Sequence, residues 1–189
     1  MNTPINRCTW CLSDPLYIRY HDEEWGKPIY DDETLFALLC LEAMQAGLSW
    51  ITILKRREQY YQAFDGFNPA KIAQYDDQKI NELLQNDGII RHRGKIRAII
   101  NNAKAYLAIK ANGSFSDYLW GITTIDGKPV INHPATLAEI PAQTEISAKL
   151  AKQLKKDGFT FVGATTCYAF MQAVGMVNDH LIDCQFANK

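Results

Sequence analysis

The 189-residue chain has no run of 18 apolar residues, which excludes a helix that spans a bilayer. Met1 to Arg7 contain no apolar core of a secretory leader, so the cytoplasm is the expected compartment. There is no internal repeat, no low-complexity tract and no linker rich in proline or glycine. Excess charge is missing too: 20 Lys and Arg stand against 21 Asp and Glu, a net charge of -1, which ordinarily counts against a polyanionic partner. Cysteines number five, and without an export signal they argue for reduced thiols or metal ligands rather than a disulfide framework. What remains is an ordinary globular composition, 47% hydrophobic and 22% charged. A chain of this length buries roughly 70% of its unfolded surface, so one unit over 1–189 is expected to hold a core unaided.

The charge that is present is segregated. Between Gly88 and Lys110 stand Arg91, Arg93, Lys95, Arg97, Lys104 and Lys110, with no Asp or Glu. The acids Asp22, Glu23, Glu24, Asp31, Asp32 and Glu33 gather elsewhere, around Lys27 alone. A neutral protein can therefore still turn a basic face to a polyanion, although a solvated helix surface is the plainer alternative.

The periodicity is mostly helical, so an all-α architecture is expected. Asp31 or Asp32 can cap a helix through Glu42 that ends near Gly47. Ser49 can cap a second, from Trp50 to about Phe64, stopped by Gly66 and Asn68-Pro69. A short helix follows Pro69. Asp76 or Asp77 opens one that ends at Gly88, and another runs from Lys95 to about Ala111. Thr123 to His133 carries Asp126-Gly127 and is expected as a loop or small hairpin. Further helices are expected over Ser147 to Lys156 and Thr165 to Val174. Both ends of the chain are expected outside the main helices.

Three groups of residues can carry chemistry. Gly88 and Gly94 bracket a tight connection between two helices, with the glycines supplying unusual dihedrals. The second helix then offers its first amides, and Arg91, Arg93 and Lys95 make phosphate the natural guest. This is the logic of a helix-hairpin-helix over about 77–111, which grips a DNA backbone without reading sequence. A plain helical corner with basic decoration is the alternative.

The second group is Glu42 among apolar neighbours, with Trp10, Tyr17, Tyr20, Trp25 and Trp50 nearby in sequence. Burying an unpaired carboxylate is costly, so it protonates or finds a cation, either a structural arginine or a ligand; an exposed register for Glu42 is the other plain alternative. An aromatic-walled slot with one carboxylate suits a flat cationic ring, although aromatic residues of helical proteins mostly fill cores. The third group is Cys8, Cys11 and His21 near one end, with His180 and Cys184 near the other. Four nitrogen or sulfur donors in a tetrahedron hold a structural zinc. Spacing pairs the His180 and Cys184 half with Cys8 and Cys11, or with Cys8 and His21; free thiols and a surface histidine are the bland reading.

Taken together these residues resemble the 3-methyladenine DNA glycosylase I family. The resemblance runs along nearly the whole chain, through Asp14-Pro15-Leu16-Tyr17-Ile18, Tyr20-His21-Asp22, Glu24-Trp25-Gly26 and Leu41-Glu42. It continues in Gln45 to Ile51, Gly88 to Ile96, Phe159 to Gly163 and Val177-Asn178-Asp179-His180. It implies a helix-hairpin-helix glycosylase fold that removes 3-methyladenine from alkylated double-stranded DNA by hydrolysing the N-glycosidic bond. It also implies one structural zinc on Cys8, His21, His180 and Cys184, with terminal segments 1–30 and 159–189 packed around it, and so selects His21 over Cys11.

From the same resemblance, Glu42 and Tyr20 are expected to hydrogen-bond the extruded base, with Trp50 stacking on it and Trp10 and Tyr17 closing the pocket. Leu48, at the Gly47 turn, resembles the family's wedge, which fills the gap in the base stack. Arg91, Arg93, Gly94 and Lys95 are expected at the DNA backbone. Lys95 is read there as a phosphate contact, not as a Schiff-base nucleophile, and Asp117 as a helix-terminal residue. The expected state is a monomer that releases free 3-methyladenine and leaves an abasic site, with no membrane association.

Overall fold

The computed structural model describes residues 5–124 and 126–187. Residues 1–4, 188 and 189 of the expected terminal segments, and residue 125 of the connection after Thr123, lie outside the described residues. The described chain is predominantly helical. The first four helices are α1 (Pro15–Glu23), α2 (Asp32–Gln45), α3 (Trp50–Leu54) and α4 (Arg57–Ala63). Next come α5 (Pro69–Ile72), α6 (Asp77–Leu83), α7 (Arg93–Lys110) and α8 (Phe115–Thr123). Strand β1 (Val130–Ile131) leads to α9 (Glu145–Lys156), α10 (Ala164–Ala173) and strand β2 (Val177–Asn178). None of these helices is long and apolar enough to cross a membrane.

Helix α2 forms the axis of the molecule. Asp31 caps it, its carboxylate accepting from the Thr34 amide at 2.8 Å, and Gly47 leaves it with φ +78, the left-handed conformation that favours glycine after a helix end. Every residue from Leu35 to Met44 is buried, so α2 has no solvent face over those turns. It packs against α10, α7, α3 and α8. A carboxylate on such a helix is buried whatever its rotational phase, and that fixes the setting of Glu42.

Several boundaries differ from expectation for tertiary reasons. The Ser49 to Phe64 segment is two helices with a break at Lys55 and Arg56. Residues flanking the break reach to the two ends of α1: Lys55 Nζ lies 2.6 Å from Asp14, its N-cap, and Arg57 pairs with Glu24, its C-cap. Helix α1 itself is not among the expected helices; it lies in the N-terminal segment expected outside the main ones. Of the loop or small hairpin expected over Thr123 to His133, the described residues form a loop and no hairpin; Val130 and Ile131 at its end pair in parallel with β2, Val130 opposite Val177 and Ile131 opposite Asn178.

The hairpin before α7 departs further. Helix α7 begins at Arg93 with His92 as its cap, the ring Nδ1 accepting from the Lys95 amide at 3.1 Å. Gly94 therefore lies in the first turn of the helix rather than at the end of a loop. Neither Gly88 nor Gly94 has a positive φ. Close approach explains both glycines better: a Cβ at Gly88 would meet Gln59 Cγ at 2.9 Å, and one at Gly94 would meet His92 Cε1 at 3.0 Å.

The two ends of the described chain meet. The Gln185 amide donates to Asn6 O at 3.0 Å and Asn6 Nδ2 to Asp183 O at 2.7 Å. Behind them Gly175 (φ +70) ends α10 with no room for a side chain, since a Cβ would lie 2.3 Å from the Lys27 carbonyl carbon. That contact fixes the 26–29 strap against α10, where the Ile29 amide donates to Val174 O at 3.1 Å.

Candidate active site

Helices α1, α2, α3 and α10 wall a cavity of about 290 Å3, at the small end of the roughly 300–1,000 Å3 range of ligand pockets. It has room for one planar heterocycle. Glu42, in the last turn of α2, is 3% exposed. Its Oε2 is buried without a hydrogen-bond partner, and no ion pair among the described residues includes it. Burial alone pushes this carboxyl up to about 8, because nothing nearby repays the loss of hydration of the charged form. Trp50 Nε1 is likewise buried and unpartnered. One cavity thus holds an orphaned acceptor and an orphaned donor.

The expected aromatic residues converge here. Trp10, Tyr17, Tyr20, Trp25 and Trp50 all line the cavity with Glu42 and Gln45. Tyr20 and Trp50 face each other at 5.6 Å between ring centroids, and Tyr17 lies 6.5 Å from Tyr20. Trp10 packs edgewise on Tyr17 at 4.8 Å and on Trp25 at 5.0 Å. Burial first, and then the Glu42 charge, raises the Tyr20 phenol well above its ordinary range, so Tyr20 remains a neutral hydroxyl.

Besides Gln45, four lining residues lie outside the expected set. Ala169 and Gln172 come from α10, one helical turn apart, and Leu137 and Ile140 from the connection after β1. The spacing of Ala169 and Gln172 is a helical-face signal. Nothing local in the sequence brings Leu137 and Ile140 to this wall.

The aromatic wall rests on a second cluster. Donor atoms of Cys8, His21 and Cys184, all buried, lie within 4.8 Å of one another. His21 Nε2 is 3.5 Å from Cys184 Sγ, while its Nδ1 meets Asp22 Oδ1 at 2.8 Å. The His180 ring is 4.8 Å from that of His21; its Nδ1 is engaged by Asn178 at 2.8 Å and its Nε2 is buried without a partner. Cys11 stands apart from this group, its Sγ directed at Cys8 O, 3.1 Å away. Trp25 packs on His180 at 4.6 Å and Trp10 on His21 at 5.3 Å, so cluster and cavity share a wall.

The expected DNA-facing residues divide. Leu48, on the Gly47 turn, is 39% exposed; Arg91, just before α7, and Arg93, its first residue, are exposed as well. Arg93 also bonds Asn81 at 2.7 Å. Lys95 is corrected: it is 6% exposed, and its ammonium donates to Met44 O at 2.8 Å and Ala46 O at 2.7 Å. It neutralises the carbonyl end of α2 and ties the Gly47 turn to α7, so it does not present a charge to phosphate. Asp117 lies in the first turn of α8, its amide bonded to the Ser114 cap.

The family model described as methyladenine glycosylase matches residues 10–188. The DNA-3-methyladenine glycosylase of Haemophilus influenzae is 52% identical over 94% of this chain and 96% of its own. DNA-3-methyladenine glycosylase 1 of Escherichia coli is 52% identical over 95% of this chain and 96% of its own. A solved 3-methyladenine DNA glycosylase I from Staphylococcus aureus, described for its recognition of 3-methyladenine, is 41% identical. It superposes with a TM-score of 0.93 and covers 99% of each chain.

Proposed function

This chain belongs to the methyladenine glycosylase family, and we propose that the Glu42 cavity receives a 3-methyladenine swung out of alkylated DNA. The activity is that of a base-excision repair glycosylase that hydrolyses the N-glycosidic bond, and its relatives are named DNA-3-methyladenine glycosylases. The observation that carries this site assignment is the unpartnered carboxylate among rings: a positively charged flat base supplies the missing countercharge and the missing hydrogen bond together.

In this reading Glu42 and Tyr20 hold the base edge and Trp50 its face, while Trp10 and Tyr17 close the slot. Leu48 fills the gap left in the stack and Arg91 and Arg93 meet the backbone, with the Gly94 turn against it. Methylation has already made the base a good leaving group. As the C1′–N9 bond breaks, its electron pair stays with the base, which departs neutral; a water oxygen bonds C1′ and gives up one proton. Since the positive charge leaves the base during that step, Glu42 acts mainly by selecting and seating the cation. Neutral adenine gains no such charge interaction, which favours the damaged base. The Lys95 amine, held by two carbonyl oxygens outside the cavity lining, supports a monofunctional enzyme without a Schiff base. The direct test is incubation with methylated duplex DNA and identification of what is released. Free 3-methyladenine with uncleaved abasic strands is expected; no released base would overturn the assignment.

We further assign one structural zinc to Cys8, His21, His180 and Cys184, within a single unit acting as a monomer in the cytoplasm. The grouped donors of Cys8, His21 and Cys184 support this, as do the buried orphaned nitrogen on His180, whose ring lies 4.8 Å from that of His21, and the support of each imidazole's other nitrogen by Asp22 or Asn178. When bound, zinc closes the site with four ligands and supplies stability, not chemistry. His21→Ala is expected to lose the ion, lower the melting temperature, and weaken free-base binding through Trp10 and Trp25. Cys11→Ser should keep the ion in a metal assay, and the reverse pattern would exclude this ligand set.

A further inference from the structure

Between α9 and α10 the chain runs Phe159-Thr160-Phe161-Val162-Gly163. Its anchors face inward: Phe159 is 2% exposed and stacks on Phe115 at 5.9 Å, and Val162 is fully buried. Asn102, buried within α7, fixes the backbone between them, accepting from the Thr160 amide at 2.8 Å and donating to Thr160 O at 3.3 Å. Phe161 does the opposite. It is 40% exposed and sits at φ +58, a left-handed conformation that bulky side chains rarely adopt. A loop already held by Phe159, Val162 and Asn102 has no packing need for that strain, and such outliers cluster where function requires them.

The position of the ring is specific. It meets His92 edgewise at 6.3 Å, and a Cβ on Gly94 would lie 3.7 Å from its Cζ. It therefore stands beside the start of α7, next to exposed Arg91, His92 and Arg93. Through Lys95 that same turn is tied to Ala46 and hence to the Gly47–Leu48 turn. Phe161 has no polar atom with which to meet a phosphate or read a base edge. In a duplex gripped by the adjacent cations, the apolar surfaces on offer are deoxyribose and the base faces of an opened step.

We propose that Phe161 is a second apolar DNA contact, separate from Leu48, which packs against the step opened when the base is extruded. The inference rests on the reading that this chain acts on duplex DNA, and its test separates the two. Phe161→Ala and Phe161→Gly are compared with the unaltered protein for melting temperature, binding of free 3-methyladenine, and binding of duplexes with and without a stable abasic-site analogue. Affinity for the abasic duplex is expected to fall about tenfold, within the range seen when an aromatic–base stack is truncated, with free-base affinity unchanged. Phe161→Gly is expected to melt higher than Phe161→Ala, because glycine accepts the left-handed backbone. Unchanged abasic-duplex affinity, or an equal loss of free-base binding, would overturn the proposal. Neither result touches the release of 3-methyladenine by the unaltered protein, which tests the reading beneath it.

Discussion

Glu42→Ala should fold, leave the Cys8, His21 and Cys184 cluster intact and lose most release of 3-methyladenine. The side chain touches no cation and no hydrogen-bond donor holds its Oε2, so truncation breaks no internal network. What is lost is the interaction with a charged base, about 2–3 kcal/mol for a hydrogen bond to a charged group, or roughly 30- to 150-fold in kcat/KM. The pH profile isolates this role. With the carboxyl at about 8, the ionised fraction that attracts a cation falls tenfold for each pH unit below that value. Wild-type kcat/KM should therefore rise with pH and level off above about pH 8, since this ratio reports the free enzyme. In Glu42→Gln the rise attributable to this group should vanish while the weaker amide hydrogen bond remains. A wild-type profile that is flat between pH 6 and pH 8 would remove Glu42 from substrate recognition.

The same carboxyl should make the fold less stable in alkali. Its folded value of about 8 lies above the ordinary 4.5, so between those values the folded state binds more protons than the unfolded one. Stability is full below the ordinary value and declines as pH rises toward the folded value. The span corresponds to about 4–5 kcal/mol, undiminished by solvent because the group is buried. Glu42→Gln cannot ionise. The melting temperatures of variant and wild type should therefore diverge by roughly 10–20 °C between pH 5 and pH 9, the variant being the more stable at high pH. Thiols and imidazoles titrate alike in both proteins and cancel in the difference. Parallel melting curves across that range would mean that Glu42 has a partner or hydration that removes the burial cost. An active site that weakens its own fold is the familiar exchange of stability for function.

The parts of this molecule that were readable from sequence are those governed by local rules. Asp31, Gly47, Pro69 and Asp76 punctuate helices where capping and backbone preference place them. The aromatic residues and Glu42 could be grouped because they all fall within the segment from Trp10 to Trp50, which carries α1, α2 and the start of α3. What could not be read depends on distant partners. Lys95 looks like its cationic neighbours in sequence, and only the carbonyl end of α2, about 50 residues earlier, draws its ammonium inward. The break at Lys55–Arg56 involves neither glycine nor proline, and residues on either side pair with the ends of α1. Leu137 and Ile140 reach the cavity through a connection whose course is set by pairing of Val130 with Val177. Gly94 was noticed for a dihedral it does not have; its reason is the His92 ring that would crowd a Cβ.

The contact between Trp25 and His180 has a temporal side. Translation delivers Glu42, all five aromatic residues of the slot and the His21 ring under Trp10 well before His180, the surface against which Trp25 leans. A nascent chain stalled on the ribosome before that point holds the Glu42 carboxyl without the His180 part of the wall. The slot therefore becomes complete only once His180 has emerged, rather than growing with chain length.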